Sequence, residues 1–477
     1  MIPQQTRHAI WQARLRGARL GYLRWQNKHI SPGVLLIIIA MVMGMLTGAA
    51  AAMLKRLISI FDSLFLTNLH TDTPNFKLLI WPLAGILITS IFQRYVVQGN
   101  VARGTRIIKQ NLEQKRFSLN PLNIFNPLLG CSVTIGFGSS GGSEGPTALS
   151  GAVIGSNVGR WFGVSDKWLG LLVAIGGGAG IAAIFKSPMG GVLFALEVLQ
   201  IQMTTIAVIA LVFACLISSA TAYLLSNFTF DIRFSQMMEF DTHNIGWICL
   251  LGVFCGLYCI YYNYTKKKST KYFSSIRNPW FAALITGGIM SVSVFAFPTL
   301  YGEGFRVITG LINGNAVSFA EGGILAGHTE GFWVLGSLAI VLLLKSVLVA
   351  ASYSGGGVAG DFVPTFFAGA LAGYLFAVIV NSLFDTQLPA WFFALAGMGC
   401  VMGGTVHAPL MALFILCETT NTYAYLFPYL LAIGLCYATV KIITPKSWYG
   451  ETKHDDLMAL MNISNNRDLN TRGENED

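Results

Sequence analysis

Val34 to Leu54, Leu78 to Ile91, Thr205 to Leu225, Ile245 to Tyr262, Phe281 to Phe297, Val334 to Ala351 and Tyr425 to Ile443 are apolar runs. They approach or reach the roughly 20 residues with which a helix crosses a hydrocarbon core. Of 477 residues 54% are hydrophobic and 11% charged, against roughly 25% charged in an ordinary soluble chain, so water is not the main solvent. Pro188 to Leu199 and Pro409 to Cys417 are shorter and lie among glycines and prolines. They are too short to span alone. Non-helical backbone at membrane depth survives only inside protein or beside water, so these segments imply broken helices within a larger bundle. The expected fold class is an all-α integral membrane protein of tilted and broken helices.

The net charge is +9, and it is clustered. Arg7, Arg14, Arg16, Arg19, Arg24 and Lys28 crowd the first 30 residues, and Lys266, Lys267, Lys268, Lys271 and Arg277 are expected to fill one mid-chain loop. Both clusters are expected to face the cytoplasm. Beside so many apolar spans they are topology signals rather than a nucleic-acid surface. Residues 8 to 25 alternate Trp11, Leu15, Leu20, Tyr22 and Trp25 with arginines, the pattern of an amphipathic helix on the inner membrane surface. No apolar core segment lies in the first 30 residues, so a cleavable signal is not expected. The eight cysteines lie in or beside apolar runs and no C-x-x-C occurs. Small packing residues are the reading for Cys255 and Cys259, one helical turn apart, rather than metal ligands or a disulfide.

Spacing exposes an internal repeat. With Pro146-Thr147 set over Pro364-Thr365, Gly142 falls over Gly360, Gly151 over Gly369 and Gly155 over Gly373. A second block sets Pro188 over Pro409, Gly176 over Gly397, Gly178 over Gly399 and Glu197 over Glu418. The order is the same in both halves. Internal symmetry of Gly/Pro-interrupted apolar segments points to a transporter or channel with its site at the repeat interface near midplane. The glycine pairs themselves are equally explained by close helix packing.

Few ionisable residues occur within these blocks: Glu144, Lys186, Glu197, Lys345, Asp361 and Glu418. Each costs about 2.5 to 3.5 kcal/mol at a bilayer centre on insertion scales, so each asks for a reason. Lys186 and Lys345 can snorkel, and Glu197 and Glu418 can cap or pair inside the bundle. Glu144 differs. It lies in Ser139-Ser140-Gly141-Gly142-Ser143-Glu144-Gly145-Pro146, a glycine-rich stretch opening onto a helix whose first turn holds the proline without losing a hydrogen bond. Free N–H groups at a helix start attract an anion, either the tethered glutamate or a diffusible ion. Glu144 is therefore expected to be a gate, blocking the site when ionised and releasing it when protonated. Gly355-Gly356-Gly357-Val358-Ala359-Gly360-Asp361-Phe362-Val363-Pro364 builds the same device in the second half. Two helix starts converging at midplane would hold a small anion firmly enough for entry and weakly enough for exit. Neither loop contains the Gly-Lys-Ser/Thr of a phosphate cradle. His328 and His407 lack metal-ligand spacing, and no nucleophile with a base stands out, so neither an enzyme nor a bound cofactor is expected.

At these residues the chain resembles the CLC family of chloride channels and chloride/proton antiporters. Gly142-Ser143-Glu144-Gly145-Pro146 is similar to the family's G-x-E-G-P, and Gly360-Asp361-Phe362-Val363-Pro364 to its G-x-F-x-P. Phe185-Lys186-Ser187-Pro188 and Phe194-Ala195-Leu196-Glu197 resemble the segment that follows the first motif, and Tyr449 falls at the family's pore tyrosine. The resemblance covers about residues 31 to 450. It implies two inverted repeats per subunit of a homodimer in the inner cell membrane, with one pore in each subunit. Chloride is the implied substrate. It would meet the backbone N–H groups of Asp361 and Phe362 and the hydroxyl of Tyr449, with Ser143 and Gly145 as further anion-binding residues, Glu144 as external gate, and lipid and protons as further partners. The implied organisation is a basic cytoplasmic segment over 1–30, a first repeat over 31–230, a loop over 231–244, a second repeat over 245–450 and a polar tail over 451–477.

Three departures bear on mechanism. The family's G-S-G-I-P is not recognisable, and Gly99-Asn100-Val101-Ala102-Arg103 is the nearest stretch, where Asn100 would supply an amide donor. Asp361 replaces an aliphatic residue, so its carboxylate is expected to point away from the ion. The internal proton-transfer glutamate of many antiporters falls at Val198, leaving Glu144 and Glu197 as the candidates for a proton path. Channel-like or weakly proton-coupled chloride transport is the resulting expectation. The alternatives are a chloride/proton antiporter, a fluoride exporter of the same family and an organic solute carrier.

Overall fold

The computed structural model describes residues 26, 28–66, 75–97, 101–201, 204–226, 232, 242–314, 323 and 331–444. The first half contains α1 (Pro32–Leu66), α2 (Trp81–Phe92), α3 (Gly104–Glu113), α4 (Asn126–Gly136), α5 (Glu144–Trp161), α6 (Asp166–Phe185), α7 (Pro188–Leu193, extended by a wider turn to Val198) and α8 (Thr205–Leu225). The second half contains α9 (Ile245–Ser274), α10 (Pro279–Ala296), α11 (Phe305–Ile312), α12 (Gly331–Ser354), α13 (Phe362–Phe384), α14 (Ala390–Val406), α15 (Pro409–Thr420) and α16 (Leu426–Ile443). Among the described residues nine helices are long and apolar enough to cross a membrane. The chain is an all-α, multi-pass membrane protein.

Local chemistry sets the breaks. Prolines at the first turn open α2, α4, α7, α10 and α15, where the missing N–H would have had no intrahelical partner. Asn278 caps α10 by accepting from the N–H groups of Trp280 and Phe281 at 2.9 and 3.4 Å. Such a cap is worth about 1 kcal/mol. Lys186 and His407 end α6 and α14 in the left-handed conformation, with φ of 54° and 61°. Each lies two residues before a helix-opening proline, Pro188 or Pro409, so the repeat seen in the glycines extends to backbone geometry.

The repeat is also a packing unit. α5 lies along α6, and α13 along α14; Gly151 meets the backbone of Gly176, Gly155 that of Leu172, Gly369 that of Gly397, and Gly373 that of Phe393. Equivalent positions make equivalent contacts in two inverted halves. Glycine lets these backbones touch. The spans Asp166–Phe185 and Phe362–Phe384 are accordingly buried over 89% and 83% of their most apolar window, against 28–56% for the other seven. Both spans are as apolar as the lipid-facing ones, with a mean hydropathy of 2.0, yet they face protein.

One expectation is corrected. Lys266, Lys267, Lys268 and Lys271 do not fill a loop, because α9 continues through them to Ser274. Lysine is a good helix former and no glycine or proline interrupts before Pro279. Lys266 is 1% exposed and faces Asp361 of the second repeat. The basic segment over residues 8 to 25 and the tail over 451–477 lie outside the described residues.

Candidate anion site

The loops preceding α5 and α13 meet. Gly142 and Gly360, equivalent in the repeat, form a two-residue antiparallel bridge in which Gly142 N–H donates to Gly360 O at 3.2 Å and Gly360 N–H to Gly142 O at 2.6 Å. A side chain at either glycine would collide with the Glu144 carboxylate. The pairing therefore brings two helix N-termini together and leaves room for one carboxylate between them.

That carboxylate belongs to Glu144, which is fully buried. Its Oε1 accepts the N–H of Phe362, the first residue of α13, at 2.5 Å. Its Oε2 is buried with no hydrogen-bond partner among the described residues. An acid from the first repeat thus occupies the helix start of the second. Such a seat suits negative charge, because the exposed N–H groups carry the positive end of the helix dipole. Asp361 turns its side chain the other way, with Oδ2 3.7 Å from Lys266 Nζ. Its backbone remains beside Phe362 at the seat.

Ser143 gives both its N–H and its hydroxyl to Glu303, at 3.0 and 2.5 Å. Gly145 is buried against Gly360, and the backbone of Gly145 also abuts Gly104 at the start of α3. Asn100 and Tyr449 lie outside the described residues. Arg103, the last residue of the Asn100 stretch, lays its guanidinium over the Tyr353 ring at 4.1 Å. Lys345 is wholly buried and donates to Ser140 Oγ at 2.6 Å, with its ammonium 4.3 Å from the Phe367 ring centre. Ser139 and Ser352 share a hydrogen bond of 2.7 Å. These two contacts tie α12 to the loop that carries Glu144.

Glu197 and Glu418 sit apart from this seat. Glu197 accepts from the N–H groups of Leu410 and Met411 at the start of α15, and Glu418 accepts from Ser187 Oγ and the N–H groups of Met189 and Gly190 at the start of α7. A polar cavity of about 210 Å³ lies beside Glu197, bounded also by Val198, Lys109, His407 and Lys441. Sequence reasoning passed over Lys55 and Glu303. Both fall at the ends of apolar runs, and the available signal was Glu303 standing between two glycines in Gly302-Glu303-Gly304.

The model of the family described as voltage gated chloride channel matches residues 84–441. The chain belongs to that family. A ClcB-like chloride channel protein of Ralstonia nicotianae is 29% identical over 343 residues, covering 69% of this chain and 75% of the relative. An H(+)/Cl(-) exchange transporter ClcA of Vibrio cholerae serotype O1 is 26% identical over 332 residues, covering 68% and 67%. Two solved structures share the fold: a slow cyanobacterial Cl-/H+ antiporter, with a TM-score of 0.73, 20% identity and coverage of 88% and 97%, and a CLC-type fluoride/proton antiporter, with 0.70, 21% and coverage of 87% and 96%. The voltage gated chloride channel family is one of membrane transport proteins, and the resemblance seen in the motifs is to the same group.

Proposed function

We propose that this chain carries chloride across the inner cell membrane through a pathway that the Glu144 side chain opens and closes. The observation that carries this reading is the hydrogen bond from Phe362 N–H to the Glu144 carboxylate at the junction of the two repeats. An ionised carboxylate and a chloride ion compete for one helix N-terminus, and protonation removes the charge that holds the side chain there. Chloride then takes the N–H groups of Asp361 and Phe362 and the Tyr449 hydroxyl, with Asn100 at the inner side and Ser143 and Gly145 beside the gate. The working unit is a homodimer with a pathway in each subunit. Proton coupling is weak in this reading, because Val198 cannot carry a proton and Glu197 is engaged by the start of α15.

A second reading, chloride/proton exchange, is favoured by relatives named as exchangers and by the cavity in which His407 stands near Glu197 and Val198. Reconstituted liposomes loaded in turn with chloride, fluoride and an amino acid mixture test the substrate class. Efflux of chloride over fluoride and amino acids supports the proposal, and selective fluoride efflux overturns it.

A further inference from the structure

Glu303 stands in a short turn between the Pro298–Leu300 turn and α11. Its neighbours Gly302 and Gly304 have φ of 61° and 83°, a left-handed backbone that favours glycine, and a side chain at Gly304 would overlap the Phe367 ring of α13. The turn is thereby pressed onto α13, and the Glu303 side chain is 8% exposed. Each of its oxygens is committed. Oε1 accepts the N–H and hydroxyl of Ser143 at 3.0 and 2.5 Å, and Oε2 accepts from Lys55 Nζ of α1 at 2.7 Å. The Lys55 ammonium also lies 4.6 Å from the Phe305 ring centre. The Glu303 turn and, through it, Lys55 of α1 are therefore tied to the residue immediately before Glu144.

We propose that Glu303 is a positioning residue for Glu144: with Lys55 it holds the Ser143 amide, and the balance of its charge against that of Lys55 sets how acid the medium must be to lift Glu144 from the Phe362 N–H. This rests on the reading of Glu144 as a gate. A second negative charge beside a buried carboxylate makes ionisation of that carboxylate harder, and a cation paired with the second charge offsets the effect. The charged groups facing this junction are Glu303 and Asp361, which act on Glu144, Lys55 and Asp62 of α1, which face Glu303, and Lys345 of α12. Asp361 has Lys266 as its partner, and Lys345 is bonded to Ser140. Glu303, ion-paired with Lys55 through its other oxygen, is the charge that contacts Ser143.

The test separates charge from mere anchoring. Glu303→Gln keeps an acceptor oxygen for Ser143 and removes the charge, whereas Lys55→Met leaves that charge without its cation. Chloride efflux from liposomes with equal pH on both sides is measured from acid to alkaline. The pH of half-maximal flux is expected to fall by about one unit in Glu303→Gln and to rise by about one unit in Lys55→Met, the size expected of a neighbouring charge at an effective dielectric of about 20. On a Glu144→Gln background, where flux is expected to be nearly independent of pH, neither substitution is expected to restore a pH dependence. Unmoved midpoints, or shifts of the same sign in both variants, overturn the proposal. Wild-type flux that ignores pH overturns the gating reading, and this proposal with it. Should Glu303→Gln fail to accumulate in the membrane, the sign of the Lys55→Met shift decides alone.

Discussion

Glu197 and Glu418 cap each other's repeat. Each stands nine residues after the proline that opens its own helix, α7 or α15, and each accepts backbone N–H groups at the start of the opposite one. Met411 N–H reaches Glu197 at 2.8 Å, and Met189 N–H reaches Glu418 at 3.1 Å. Broken helices leave unsatisfied donors at membrane depth. Each half supplies the carboxylate that the other half needs.

Glu418→Gln is expected to lower stability by about 1–3 kcal/mol, since it weakens charge-assisted bonds to two backbone N–H groups and to Ser187. Thermal unfolding of the purified protein in detergent checks this. An unchanged midpoint would remove Glu418 from the junction.

Glu144→Gln is expected to mimic the protonated gate, because a neutral amide competes poorly with an anion for the positive end of α13. Wild-type chloride flux should rise as pH falls, through protonation of Glu144, and the variant should hold a high flux nearly independent of pH. Liposome efflux at a series of pH values decides, and a variant that retains the wild-type pH response contradicts the gating role.

Gly360→Ala is expected to push Glu144 off its seat, because the added methyl would occupy the space now filled by the carboxylate. Flux near neutral pH should rise severalfold toward that of Glu144→Gln. The same efflux measurement applies, and a variant as tightly closed as wild type at neutral pH would mean that the two loops can part without freeing the gate.

Coupling is expected to be weak, because Val198, at the position to which the resemblance assigns an internal proton acceptor, cannot carry a proton. A chloride gradient should then drive little net proton uptake into sealed liposomes. The reversal potential under opposed chloride and pH gradients is the deciding measurement. A value at the chloride equilibrium potential supports channel-like transport, and one displaced by pH would route protons through the cavity of Glu197 and His407.

Hydropathy and glycine spacing by themselves determined the class of the molecule, its two-fold repetition and the two glycine-rich helix starts, because all three depend on properties that act along the chain: residue transfer free energy, helix length and backbone bulk. Even the Glu144 loop was legible, since an acid in a glycine-rich apolar setting has few local explanations. Its partner was not. Glu144 meets Phe362 across 218 residues, and Lys55 meets Glu303 across 248. Such pairs are chosen by how the repeats close on each other, so the sequence lists the donors and acceptors without saying which will share a buried space. The same holds for Lys266, whose lysine-rich surroundings suggested a solvated loop until the packing of α9 set it against Asp361. Tertiary structure decided these matches because a buried charge must find its counterpart wherever the fold brings one, and proximity along the chain plays no part in that requirement.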